Sequence, residues 1–345
     1  MSALKHRPAP FMFRTTGFQG YAVESPSFCE YLLLSPSDPI VFCGQLAQVE
    51  FSPFFENRLA CASAANFGIA GNGRLWAMNV SNEGIAAVTF FDTQDGLYDC
   101  AWSEVNENQI VASSGDGSIK LFDLGLRDFP ILNLHEHTRE VFSVKWNLVR
   151  KDTFVSGSWD HQIKIWSPES NVSLMTWKEH TSCVYQTAWS PHVAERFASA
   201  SGDSTVKIWD VRSPRSSNTF RAHASETLAL DWNKYDPYSI VTAGVDHAVR
   251  VWDLRNTSKD VLTLRGHEYA VRRVKCSPHS KSVVASTSYD MTMRVWETSR
   301  AFNNLVQVHD LHSEFVLGVD FNMFVPGQVA TCAWDELVHV FPVMA

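Results

Sequence analysis

The feature that most constrains this chain is a repeat. Asp116, Asp160, Asp203, Asp246, Asp290 and Asp335 fall 44, 43, 43, 44 and 45 residues apart. An aromatic residue follows each by six positions: Phe122, Trp166, Trp209, Trp252, Trp296 and Phe341. The last five Asp have a His 23 residues earlier (His137, His180, His223, His267 and His312) and a hydroxyl four residues earlier (Ser156, Ser199, Thr242, Ser286 and Thr331). Such spacing demands a repeating structural unit, too small to bury its own apolar face and stable when stacked on copies of itself. Between the markers, stretches such as 141–146, 160–166 and 206–210 alternate in polarity and carry β-branched and aromatic residues. Gly-Asp, Val-Asp and Trp-Asp turns punctuate them, so the unit is made of strands.

A period of this length, with Gly266-His267, Trp209-Asp210 and Trp252-Asp253 as marks, is that of the WD repeat, four strands to a blade. Six repeats are clear from about Thr93 onward, and a degenerate one ends at Gly73–Met78, with Trp76 placed 46 residues before Phe122. The expected fold is all-β, a single seven-bladed WD-repeat propeller over residues 1–345. The last blade runs out of chain near Phe341 after its third strand. Phe11–Thr15 is expected to supply the fourth, closing the ring and removing an open sheet edge.

His, Ser/Thr and Asp in one unit resemble a hydrolase triad, yet five near-identical copies fit a structural staple better. In each, His, hydroxyl, Asp and Trp are expected to form a buried hydrogen-bonded chain that fixes the blade. Gly71-Asn72-Gly73 is too short for a phosphate loop, and His161 and His192 read as turn or surface residues. No catalytic residue, metal site or cofactor is expected. With 45% hydrophobic residues the chain has ample core. A net charge of −8 disfavours nucleic acid and fits a cationic partner. Seven scattered cysteines without C-x-x-C point to reduced thiols in a cytosol-like compartment. No apolar run suggests membrane insertion or a secretory signal.

A propeller presents its function on its loops. Three places per blade should crown the top face: three and five residues after the His, and the residue before the Asp. They give Glu140, Phe142 and Trp159; Cys183, Tyr185 and Gly202; Glu226, Leu228 and Val245; Ala270, Arg272 and Tyr289; Phe315, Leu317 and Trp334. Blade two, where Thr93 replaces His, gives Gly96, Tyr98 and Gly115 with Asp95 adjacent; blade one offers Tyr21 and Asn66. Aromatics interspersed with carboxylates suit an amphipathic segment carrying Arg or Lys. The competing reading is that some of these rings close the central channel.

Several strings exceed the generic repeat: Gly17–Tyr21, Ser52–Ala60, Asn66–Gly68, Gly71–Gly73, Gln94–Trp102, Glu136–Phe142, Trp159-Asp160 and Ile163–Pro168. Asn233–Tyr235, Gly244–Asp246, Ser288–Thr292 and His312–Val316 continue them. Over nearly the whole chain the sequence resembles the receptors for the type 2 peroxisomal targeting signal. The resemblance implies a receptor for cargo proteins, for example a peroxisomal thiolase, whose N-terminal nonapeptide reads Arg/Lys, aliphatic, five variable residues, His/Gln, Leu/Ala. It further implies a soluble co-receptor, peroxisomal docking machinery and cycling between cytosol and peroxisome matrix. Asp95 and Glu140 would take the signal's Arg; Tyr98, Phe142, Trp159, Tyr185 and Leu228 would receive its aliphatic side chains. Glu226, Arg272, Tyr289, Phe315 and Trp334 complete the expected signal-binding face. One departure is residues 24–49, an atypical insertion expected to interrupt the innermost strand of the first blade; Val-Glu stands at both ends (Val23-Glu24 and Val49-Glu50), leaving two possible registers. The alternative function is another WD-repeat adaptor, a chromatin or ubiquitin-ligase substrate reader.

Overall fold

Each repeat folds into one four-stranded antiparallel sheet whose strands, here a to d from the centre outward, pair in sequence order. The computed structural model describes residues 11–14, 45–65, 71–126 and 129–343. Seven such sheets form among them, a seven-bladed propeller. The innermost strands are Gln45–Phe51, Leu97–Trp102, Val141–Trp146, Val184–Trp189, Thr227–Trp232, Val271–Cys276 and Val316–Phe321 for blades 1 to 7.

Blade 7 is completed from the far end of the chain. Phe11–Arg14 pairs antiparallel with Leu337–Pro342, from Phe11 opposite Val340 to Arg14 opposite Leu337. The outer edge of the last sheet is thereby paired by the first strand, as the repeat count required. In blade 1 strand a runs unbroken over Gln45–Phe51, so Val49-Glu50 lies within it. The earlier part of the segment 24–49, together with Tyr21 and Asn66, lies outside the described residues.

The core is a set of slabs between blades. One cluster joins Leu46, Val49 and Phe51 of blade 1 to Ala330, Cys332, Val338 and Val340 of blade 7. Equivalent clusters fill the other six interfaces, around Trp102, Trp146, Trp189, Trp232, Trp296 and Phe321. Because strand a is an edge of its own sheet, its outward N–H groups need partners from the next blade. Asp99 accepts from Val144 N–H (3.1 Å), Ser143 Oγ from Thr187 N–H (3.0 Å) and Gln186 from Leu230 N–H (3.3 Å). Asp231 accepts from Cys276 N–H (2.8 Å), and Asp320 from Phe51 N–H (2.9 Å) across the seam between last and first blade.

Candidate functional site

The recurring polar residues form the chain that their spacing implied. In blade 3, His137 Nδ1 lies 2.8 Å from Asp160 and its Nε2 2.8 Å from Ser156 Oγ, which accepts Trp166 Nε1–H at 2.8 Å. His180, Asp203, Ser199 and Trp209 repeat this in blade 4. His223, Asp246, Thr242 and Trp252 do so in blade 5, and His267, Asp290, Ser286 and Trp296 in blade 6. In blade 7, His312 reaches Asp335 (2.9 Å) and Thr331 (2.9 Å). Ser156, Ser199, Thr242 and Ser286 are 0% exposed, so no substrate reaches these hydroxyls.

The tetrads also position the loops. Asp160 accepts the N–H of Thr138, just after the His, at 3.1 Å, and that of Gln162, beyond the turn, at 2.9 Å. Asp203 and Asp290 make the same two contacts. Each Asp therefore ties the loop entering strand a to the turn between strands b and c, and His161, Ser204, His247, Met291 and Glu336 follow it at φ between 64° and 68°. Burial raises these carboxylates' pKa, but hydrogen bonds from His and backbone outweigh it and hold Asp160, Asp203, Asp246, Asp290 and Asp335 below the usual range. Blade 2 substitutes Ser118 and Lys120 for the His: against burial, their bonds bring Asp116 down to about 2.

Top-face side chains are aimed by a β-bulge that recurs in strand a of every blade. The pairing of strands a and b skips one residue each time: Ala47, Tyr98, Phe142, Tyr185, Leu228, Arg272 and Leu317. A bulge leaves one residue unpaired and redirects it. Here the seven bulges set seven side chains around the upper mouth of the channel. Beside them, backbone bonds pin the other two places together in blades 3 to 7: Trp159 N–H to Glu140 O (3.0 Å), Gly202 to Cys183 (2.9 Å), Val245 to Glu226 (3.0 Å), Tyr289 to Ala270 (3.1 Å) and Trp334 to Phe315 (3.1 Å).

Two aromatic clusters result. Phe142 stacks on Tyr98 (4.4 Å between centroids, 17°) and on Trp159 (4.8 Å, 11°), and meets Tyr185 edge-on at 6.0 Å. Tyr289, Phe315 and Trp334 form the second, with centroids 5.1 and 5.2 Å apart. The first is ringed by acid. Asp95 and Glu140 both act on the Tyr98 phenol, which burial first and then these carboxylates push above its ordinary pKa. Tyr185 donates to Glu226 Oε2 at 3.0 Å. Gly202 leaves room for Ser182 Oγ, which comes within 2.8 Å of where a Cβ would stand, with the Tyr185 ring in ordinary contact at 3.4 Å.

Some expectations from sequence are placed differently. Leu228 is 6% exposed and floors the face, so it has little surface to offer an incoming side chain. Phe142 both lines the face and narrows the mouth, since the Arg272 guanidinium lies 5.8 Å from its ring. Sequence reasoning missed Arg139, which sits 5.7 Å over Trp159 and 3.6 Å from Glu140, and Tyr269, 60% exposed beside Ala270. Residues flanking a marked position carried no signal of their own. His161 is a left-handed turn residue, and His192 bonds Asn233 O at 3.0 Å.

Fold and face together define a WD-repeat propeller with an aromatic, acid-rimmed top surface. Comparison with known proteins agrees and goes further. The WD domain, G-beta repeat model matches residues 87–123 and 129–167, and the EIPR1 beta-propeller model matches 170–296. The peroxisomal targeting signal 2 receptor of Dictyostelium discoideum is 65% identical over 284 residues, 81% of this chain and 89% of the relative. That of Mus musculus is 51% identical over 85% of this chain and 92% of its own length. Peroxisome biogenesis protein 7 of Arabidopsis thaliana is 56% identical over 85% of this chain and 93% of its own length. The chain belongs to the peroxisomal targeting signal 2 receptor family, a family of receptors and not of enzymes.

Proposed function

We propose that this chain binds the N-terminal type 2 peroxisomal targeting signal of cargo proteins on its top face and carries them to the peroxisome for import. The observation that carries the reading is the Tyr98–Phe142–Trp159–Tyr185 cluster with Asp95, Glu140 and Glu226 at its edge, in a chain belonging to this receptor family. A nine-residue helix is ~14 Å long and presents its first, second and last two positions on one side, basic at one end and apolar elsewhere. Its Arg would sit between Asp95 and Glu140, and its aliphatic residues against Phe142, Trp159 and Tyr185. A helix lying on a face keeps its outer side open to solvent. A soluble co-receptor closing over that side, then docking the complex at the peroxisome, suits this geometry, with the receptor cycling between cytosol and matrix.

The test is binding of a labelled Arg-Leu-x5-His-Leu peptide to purified protein and to Phe142→Ala. The variant removes the ring on which the cluster is assembled and should weaken binding by about a hundredfold, as loss of a central aromatic anchor does. Unchanged affinity in a folded variant would move the signal off this face.

A further inference from the structure

Six of the seven bulge residues at the channel mouth are uncharged; the seventh is Arg272. It is 7% exposed, and its Nη1 has no hydrogen-bond partner among the described residues. Its neighbour Arg273, 0% exposed, lies 3.1 Å from Asp99 Oδ1. Asp99 is already committed: it accepts from Val144 N–H and Cys100 N–H, each at 3.1 Å, and stands 3.8 Å from Lys145 Nζ. Arg273 thus leans on a carboxylate that other donors occupy, and the same carboxylate is left to offset the charge of Arg272 from a distance. A buried cation left short of partners is costly, and an apolar side chain of similar volume would serve the packing as well or better. Leu228 and Leu317 hold the same bulge position in blades 5 and 7, so the site itself accepts an apolar residue. A charge kept where the fold does not need it, against an aromatic face, fits a function that uses the charge.

We propose that Arg272 is an oxyanion-binding point at the mouth of the central channel, taking a carboxylate from a protein segment docked on the top face. The planar fork of a guanidinium suits carboxylate and phosphate geometry, and the Phe142 ring, 5.8 Å away, gives the site an apolar flank. The site is of opposite sign to the Asp95–Glu140 pocket. It therefore orients an occupant that carries a basic residue at one point and an acidic one at another. This rests on the reading of the top face as a segment-binding surface. A free oxyanion would satisfy the same chemistry, so the experiment separates the two sources.

Wild type, Arg272→Lys and Arg272→Met would be compared in two arms. In the first, Arg-Leu-x5-His-Leu peptides carrying Glu, or Gln as control, at each of the five variable positions are titrated by anisotropy. At one position, wild type and Arg272→Lys should favour Glu over Gln by about tenfold, and Arg272→Met should show no preference. In the second, inorganic phosphate is added at matched ionic strength; a melting-temperature rise in wild type but not in Arg272→Met assigns the site to a free ion. Arg272→Met should melt no lower than wild type. Absence of both effects in wild type, their persistence in Arg272→Met, or a clear loss of stability in that variant overturns the proposal. Failure of the Gln peptides to bind would instead count against the receptor reading, leaving the phosphate arm to decide on Arg272.

Discussion

At the scale of single residues, the tetrad carboxylates hold the loops that build the face. Asp246→Ala would leave His223 Nδ1, now 2.7 Å from the carboxylate, and Arg250, at 3.0 Å, without their acceptor. It should cost about 1–3 kcal/mol by urea denaturation, the cost of partners left unsatisfied. The same groups set the response to acid. Burial holds His180 and His267 below their ordinary 6.5, outweighing their Asp partners. The unfolded chain then binds more protons, so their contribution is whole above pH 6.5 and declines as pH falls below it. The Asp residues are depressed below 3.8; their contribution is whole above that value and is lost as pH drops toward about 2, where Asp116 titrates. Urea midpoints should therefore hold from pH 7.5 to about 6.5, fall from there to pH 5, and fall more steeply below 4. A flat profile between 7.5 and 5 would contradict the neutral, buried histidines. These residues were legible because a hydrogen-bonded chain across three strands forces fixed spacing. Arg272 was legible as a top-face residue, but its burial was not, since that depends on Phe142 three blades away around the ring.

At the scale of elements, strand a does two things at once. Its paired residues fill the slabs between blades, and its bulged residue lines the top face. The alternation that marks a strand could be read from sequence. The bulge could not, because one skipped partner leaves the marker spacing unchanged and appears only in the register with strand b. The first blade shows the same limit: its markers are degenerate, so Val23-Glu24 and Val49-Glu50 competed for one place until the Gln45–Phe51 pairing showed Val49-Glu50 inside strand a. The closing strand gives an element-scale prediction. Removing residues 1–14 should expose the Leu337–Pro342 edge, lower the melting temperature and produce concentration-dependent aggregation in light scattering. A truncated chain as stable and monodisperse as the full one would mean that this strand contributes nothing to closure.

At the scale of the whole molecule, the ring is a scaffold of seven interfaces that leaves its loops free to specialise. Six blades repeat nearly the same polar staple or a variant of it, whereas the face they carry is asymmetric. Acid and stacked rings gather over blades 2 to 5, a second aromatic cluster over blades 6 and 7, and the buried Arg272 lies between. The fold followed from periodicity because every blade repeats the signal. The face followed only in outline, because each of its side chains occurs once and its contacts run between blades. In the proposed binding mode the acid beside Tyr98 takes the basic residue of a signal helix. A charge exchange tests it most directly: affinity of Arg-Leu-x5-His-Leu and of its Glu-Leu-x5-His-Leu counterpart for wild type and Glu140→Arg. Wild type should prefer the Arg peptide, more strongly at low salt, and Glu140→Arg should lose that preference and gain affinity for the Glu peptide. Equal preference for the Arg peptide in both proteins would contradict the account.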